Sequence, residues 1–169
     1  AERLAGEPLE RLFVTPLRRT AQTAAPLAER TALEPQAVED LCEIGLGEWE
    51  GGEFRIRMAN GDPLAMRVLA EERWDLIPGA ESADAVAARV RAGVESIVAA
   101  TGVGRVAAAV VHGGIIGEIC RQATGSRPFA FIHADNGSIT RLVVYADGPW
   151  VLRSFNDTAH LADGARPAG

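Results

Sequence analysis

The segment RVAAAVV, residues 105–111, does most to restrict the fold. Its apolar run is continuous, without the alternation of a half-solvated strand, and it stops at His112-Gly113-Gly114 before a second apolar stretch, IIGEICRQA. An unbroken run of this length predicts a strand buried on both faces, as strands of parallel sheets are. The glycines mark a tight turn, and Ile115–Ala123 reads as the helix that follows.

A second strand, turn and helix lie near the start. RLFVTP, residues 11–16, places the apolar run Leu12–Val14 ahead of Thr15, read as a helix cap, and Pro16, read as the first helical residue. The helix then extends to about Arg30, with Leu17, Ala21, Ala24, Ala25, Leu27 and Ala28 close to helical spacing. Residues 41–52 read as a glycine-rich loop and 63–74 as an amphipathic helix. PGAES at 78–82 is a stop and restart, with Glu81 or Ser82 opening a helix to about Ala100. SITRLVVY and PWVLRSF alternate and are joined by ADGP, which predicts a hairpin, and the closing ADGARPAG is expected to be disordered. Strands alternating with helices imply an α/β layered domain with a largely parallel sheet and an antiparallel edge. Ala1–Ala5 reads as the last turn of a helix closed by Gly6, from which further sequence is expected upstream of Ala1.

At 169 residues and 17.9 kDa, with 47% hydrophobic residues, the chain suits one domain, residues 1–169, with residues 52–104 as an insertion within it. A net charge of -6 provides no broad positive field, so neither nucleic acid nor an anionic membrane is an expected partner. No apolar run approaches the roughly 20 residues of a membrane span. Cys42 and Cys120 have no metal-ligand spacing and are expected to be reduced core residues of a cytoplasmic protein.

Ligands of open α/β sheets bind beyond the carboxyl ends of the strands. There the first turn of the next helix offers unpaired N–H groups and the positive end of a dipole. Arg18 and Arg19 lie in one such turn; His112, Gly113 and Gly114 form the other. Together they could hold a phosphate on an otherwise acidic protein. Each turn taken alone is equally an ordinary helix start, and a histidine before Gly-Gly is often structural. The segment LCEIGLGEWEGG, residues 41–52, adds Glu43, Glu48 and Glu50 among glycines, an odd place for acids without a task.

Four stretches, TPLRRTAQTA at 15–24, LCEIGLGEWEG at 41–51, PGAES at 78–82 and VVHGG at 110–114, occur in the order seen in the histidine phosphatase superfamily. NGSIT and FNDTAHL also resemble its phosphatase branch, so the resemblance spans nearly the whole chain. It implies a three-layer α/β/α fold of the phosphoglycerate mutase-like type, with a mostly parallel central sheet and an antiparallel edge strand. By the same resemblance Arg19 is a phosphate-binding arginine, Glu43 the proton donor to the leaving group, and His112 the second histidine of the pocket. Thr15 matches a hydroxyl residue that contacts phosphate, or is simply the helix cap. Gly113 is a further expected substrate contact. Arg18, Glu48 and Glu50 match no catalytic position, and Trp49 matches a packing residue. Arg55, Arg57 and Arg67 are candidates to meet a second anionic group of the substrate, or are ordinary solvated charges.

The resemblance also implies an Arg-His-Gly triplet ending the first strand, whose histidine is the nucleophile. No such triplet occurs in these 169 residues, and His112, His133 and His160 are the only histidines. The expected activity is metal-independent, cofactor-free hydrolysis of a small-molecule phosphomonoester through a phosphohistidine, with the triplet upstream of Ala1. The modest length of the 52–104 insertion favours hydrolysis over mutase-type phosphoryl transfer. A non-catalytic phosphate-binding or partner-binding module is the alternative if the nucleophile is absent, and a homodimer through the hairpin's outer strand is allowed.

Overall fold

The computed structural model describes residues 1–145 and 148–162, so the tip of the expected ADGP turn and most of the ADGARPAG tail lie outside the described residues. Three strands form a parallel sheet in the order β2-β1-β3, with β1 Leu9–Val14, β2 Pro35–Ala37 and β3 Val106–Val110. The expected hairpin is present as β4 Ile139–Val144 against β5 Trp150–Asp157. Among the described residues it forms a two-stranded antiparallel sheet of its own, not hydrogen-bonded to the parallel one.

The helices are α1 Glu2–Ala5, α2 Arg18–Thr31, α3 Glu53–Ala59, α4 Pro63–Glu71, α5 Ala83–Thr101, α6 Gly113–Thr124 and α7 Ala159–Ala162. Leu12 and Val14 of β1 pack with Ala24 and Leu27 of α2, and Ala108 and Val110 of β3 complete that cluster. Helix α5 packs on β1 and β3 as well, and α6 lies against α5 and β5. This second layer has its own core, in which Val86, Val90 and Val94 meet Leu41, Ile44, Ile115 and Trp150. A third cluster, Trp49, Ala65, Val68 and Ile77, with Phe54, Trp74 and Phe129 around it, holds the 47–80 region together. Helix-and-sheet layers with a mostly parallel sheet are the architecture expected. Among the described residues, no helix is long and apolar enough to cross a membrane.

Two expectations need correction. Helix α2 begins at Arg18 with Leu17 as its N-cap, so neither Thr15 nor Pro16 opens it. Thr15 is instead 1% exposed, and its side chain turns inward. Strand β3 is not buried on both faces: its residues are half-buried or exposed, and Val106 is 41% exposed. The reason lies in the pairing, because among the described residues β3 has a partner, β1, on one edge only. Helix α3 and strand β2 were not expected; both are short, and neither carries a sustained apolar period.

Candidate active site

Strands β1 and β3 run parallel with Val14 beside Val110, so their carboxyl ends are level. The chain leaving β1 delivers Thr15 and then Arg19 on the first turn of α2, and the chain leaving β3 delivers His112 as the N-cap of α6. The three side chains meet. Thr15 Oγ1 lies 2.9 Å from His112 Nε2, and Arg19 Nε donates to His112 Nδ1 at 3.2 Å. His112 is 6% exposed. Burial, then the nearby cations Arg19 and Arg89, depress its pKa to about 4, so the ring is neutral at physiological pH.

Glu43 approaches from the other side. One carboxylate oxygen accepts from the Ile44 amide at 3.0 Å, and the other lies 3.4 Å from the Gly114 amide in the first turn of α6. A carboxylate at a helix N-terminus is usually stabilised in its charged form. Here burial outweighs the two amides and the more distant Arg19 and Arg89, and the pKa is raised above its ordinary value. The contact depends on glycine at position 114, since a Cβ there would lie 2.6 Å from Glu43 Oε1 and 2.9 Å from Ile44 Cδ1. At Gly113 the nearest atom to such a Cβ is the Ala134 carbonyl oxygen, at 3.8 Å. Gly113 is the expected substrate contact; the close approach to Glu43 is made by its neighbour Gly114.

The loop bearing Glu43 is held from behind by residues that sequence reasoning missed. Arg89, on α5, donates to the carbonyls of Asp40 at 2.8 Å, Cys42 at 2.7 Å and Glu43 at 3.3 Å, and makes two 2.8 Å bonds to the Glu81 carboxylate. Glu81 in turn accepts from the Gly45 amide at 2.8 Å. Farther along, Gly47 has φ +55 and packs against the Gly79 and Pro78 backbone so closely that no side chain fits. Glu81 and Gly79 belong to the PGAES motif, which is the only sequence sign of this clamp. Arg89 has no local sign at all, because its partners are backbone carbonyls.

The other candidates fall outside this cluster. Glu48 and Glu50 are exposed, as expected, although Glu50 accepts from the Leu46 amide at 2.6 Å, and Trp49 is buried. Arg57 is held by Glu53 at 2.8 Å and Asp62 at 3.0 Å and stacks 4.8 Å from the Trp49 ring centroid. Those partners engage its Nε and Nη1. Arg55 is exposed on the same helix, and Arg67 pairs with Glu71. His133 is exposed, and the Nε2 of His160 lies 3.0 Å from the Gly137 carbonyl oxygen. Cys120 is buried and its pKa is pushed up to about 11, while Cys42 is half-buried with its pKa raised; both are free thiols.

A cluster of this form, with an arginine, a neutral histidine and a protonatable carboxyl group at a helix N-terminus, suits an oxyanion whose leaving oxygen needs a proton. Comparison with known proteins points the same way. Residues 1–158 match the family model of the histidine phosphatase superfamily (branch 1). The bifunctional protein Rv2228c of Mycobacterium tuberculosis is 34% identical over 149 residues, which is 87% of this chain but only 40% of that protein. The chain thus spans about two fifths of the length of the curated relatives it matches. Among solved structures, mycobacterial glucosyl-3-phosphoglycerate phosphatase Rv2419c with inorganic phosphate superposes with a TM-score of 0.75 at 28% identity, over 94% of this chain and 82% of that one. A phosphoglycerate mutase from Bacillus anthracis, at 23% identity, shares the fold with a TM-score of 0.78 over 96% of this chain and 79% of that one.

Proposed function

The chain belongs to the histidine phosphatase superfamily, and on that premise we propose that it is the main part of a phosphomonoesterase acting on a small phosphorylated metabolite through a phosphohistidine. The observation that carries this reading is the meeting of Arg19, His112 and Glu43 beyond the carboxyl ends of β1 and β3. Arg19 and the amides of the α6 first turn neutralise the phosphoryl oxygens. Glu43, its pKa raised by burial, carries the proton that the leaving alkoxide needs.

His112 is poorly placed to be the nucleophile. Its Nε2 is bonded to buried Thr15, and its Nδ1 adjoins Arg19, which suits that nitrogen to hydrogen-bond a phosphoryl oxygen that Arg19 also holds. The nucleophile is assigned instead to the Arg-His-Gly segment that the family carries, on a strand preceding Ala1. The edge of β3 that is unpaired among the described residues supports this placement, because a strand there would end beside His112. In the reaction, a nitrogen of that histidine attacks phosphorus as the ester P–O bond breaks and Glu43 protonates the departing oxygen. Water then attacks phosphorus, the P–N bond breaks, and Glu43 takes the water's proton.

The test uses the protein as its gene encodes it. An aryl phosphate is supplied without added metal, vanadate is added as inhibitor, and the phosphorylated residue is mapped after acid-free quenching. Hydrolysis with phosphate on a histidine ahead of Ala1 is expected. Phosphate on His112 would overturn the assigned mechanism. Binding of phosphate without turnover would make the protein a phosphate-binding module.

A further inference from the structure

Thr20 takes no part in the reaction proposed above, yet it is 2% exposed and its hydroxyl makes four short contacts directly behind His112. The direction of every proton in that cluster follows from Arg19. A guanidinium can only donate, so His112 Nδ1 must accept its bond. A neutral ring then carries its proton on Nε2 and donates it to Thr15 Oγ1 at 2.9 Å. Thr15 passes its own proton to Thr20 Oγ1 at 3.0 Å, which also accepts from the Thr15 amide at 3.2 Å. The Thr20 proton goes to the carbonyl of Leu17 at 2.8 Å or of Thr15 at 2.9 Å. Every donor has an acceptor, and reversing a hydroxyl or ring link would put two protons face to face.

We propose that Thr20 is a positioning residue that, through Thr15, holds the His112 proton on Nε2 and leaves Nδ1 bare on the Arg19 side, so that binding of an oxyanion is accompanied by uptake of one proton at Nδ1. The inference rests on the reading that this pocket takes an anion. When Arg19 turns toward the anion, Nδ1 loses its donor and faces oxygen lone pairs, a repulsion that a proton converts into a charge-assisted bond. The charged groups around the ring are Arg19 from α2, bonded to it, and, from behind the 40–45 loop, Arg89 of α5, with Glu43 on the Gly114 amide; Thr15 and Thr20 carry no charge. Burial and the two arginines keep the ring neutral, and a bound anion would reverse that balance.

Sulfate is the probe, because it stays a dianion near neutral pH and any proton gained must sit on the protein. Titration calorimetry in two buffers of different ionisation heat counts the protons, and nitrogen NMR of the ring reads the tautomer, both on the protein as encoded. The free protein is expected to show a pyridine-like Nδ1 and a pyrrole-like Nε2. With sulfate, both nitrogens become pyrrole-like and close to one proton is taken up. Thr20→Ser keeps both signatures. Thr20→Val lets the Thr15 hydroxyl turn its proton onto Nε2, the ring proton moves to Nδ1 in the complex, and uptake falls toward zero; Thr20→Ala, which leaves only a small cavity, gives the same result if the valine variant does not fold. A free ring protonated on Nδ1, sulfate bound without proton uptake, no sulfate binding at all, or valine and alanine variants indistinguishable from wild type would each overturn the proposal. Hydrolysis of aryl phosphate by the same preparation separates this outcome from failure of the phosphatase reading.

Discussion

Arg89 and Glu81 form a two-bonded ion pair, 2.8 Å at each contact, against the back of the loop whose front carries Glu43. Arg89, in the second turn of α5, and Glu81, just ahead of the Ser82 cap, tie that helix to the backbone of residues 40–45, so the position of the proposed acid is set by a guanidinium outside the Thr15–Arg19–His112 cluster.

Replacing Arg89 with Ala strands three loop carbonyls and the Glu81 carboxylate. A loss of about 1–3 kcal/mol is expected, the cost of leaving hydrogen-bonding groups unpaired in a partly buried setting. Arg89→Lys keeps the charge but cannot fork, and recovers only part of it. Urea unfolding of the two variants and the wild type checks both statements, and equal stability of all three would contradict the clamp.

Glu43→Gln is expected to lower kcat by about 10²–10⁴-fold on alkyl phosphates and much less on aryl phosphates, whose leaving groups need little protonation. The raised pKa adds a pH signature. The acid must be protonated to act, so the wild-type rate falls as pH rises through that value, and this limb flattens in the variant. Equal losses on both ester classes would remove Glu43 from the role of general acid.

Gly114→Ala and Gly113→Ala should differ sharply. The first places a methyl group 2.6 Å from Glu43 Oε1 and must displace the carboxyl or the Ile44 side chain. Overpacking of this kind costs about 1–3 kcal/mol and moves the acid out of line. The second has 3.8 Å of clearance and should keep near wild-type activity and melting temperature. Kinetics and thermal melts on the pair make the comparison.

Stability should depend on pH through the same groups, with opposite signs. His112 is depressed from 6.5 to about 4, so its contribution is complete above 6.5 and is lost as pH falls toward 4. The loss is on the order of 3 kcal/mol. Glu43 is raised from 4.5, so its contribution is complete below 4.5 and is lost as pH rises through its folded value. His112→Asn should therefore flatten the acid side of the melting curve against pH, and Glu43→Gln should stabilise the protein at neutral pH. Unchanged pH profiles in both variants would contradict the assignment.

The parts of the fold that were legible in the sequence are those in which local chemistry and tertiary environment agree. Ser82 caps α5 by accepting from Ala85 N, as the PGAES motif predicts, and the β4–β5 hairpin follows its alternation. His112 at the end of β3 and Arg19 on α2 were readable because strand ends and helix starts leave local marks. Thr15 was read as a helix cap because hydroxyl and proline together usually are one; here a partner 97 residues away, His112, claims the hydroxyl instead. Arg89 was not legible, and Gly114 was legible only as part of the turn after His112, for a related reason. Their importance lies in contacts to groups 46–49 and 71 residues away, which no local pattern records. The burial of β3 was overread because an apolar run reports what a strand prefers, while exposure depends on which neighbours its edges find.

The pairing of β1 with β3 has a consequence for how the polypeptide is made. Residues 9–14 leave the ribosome some ninety residues before the strand they must lie beside. At about 5–20 residues per second, one flank of β1 waits roughly 5–20 s for its neighbour, while β2 can dock on the other flank much sooner. During that interval Leu12, Phe13 and Val14, among the least exposed side chains of the finished molecule, sit in a half-built sheet that a chaperone could recognise.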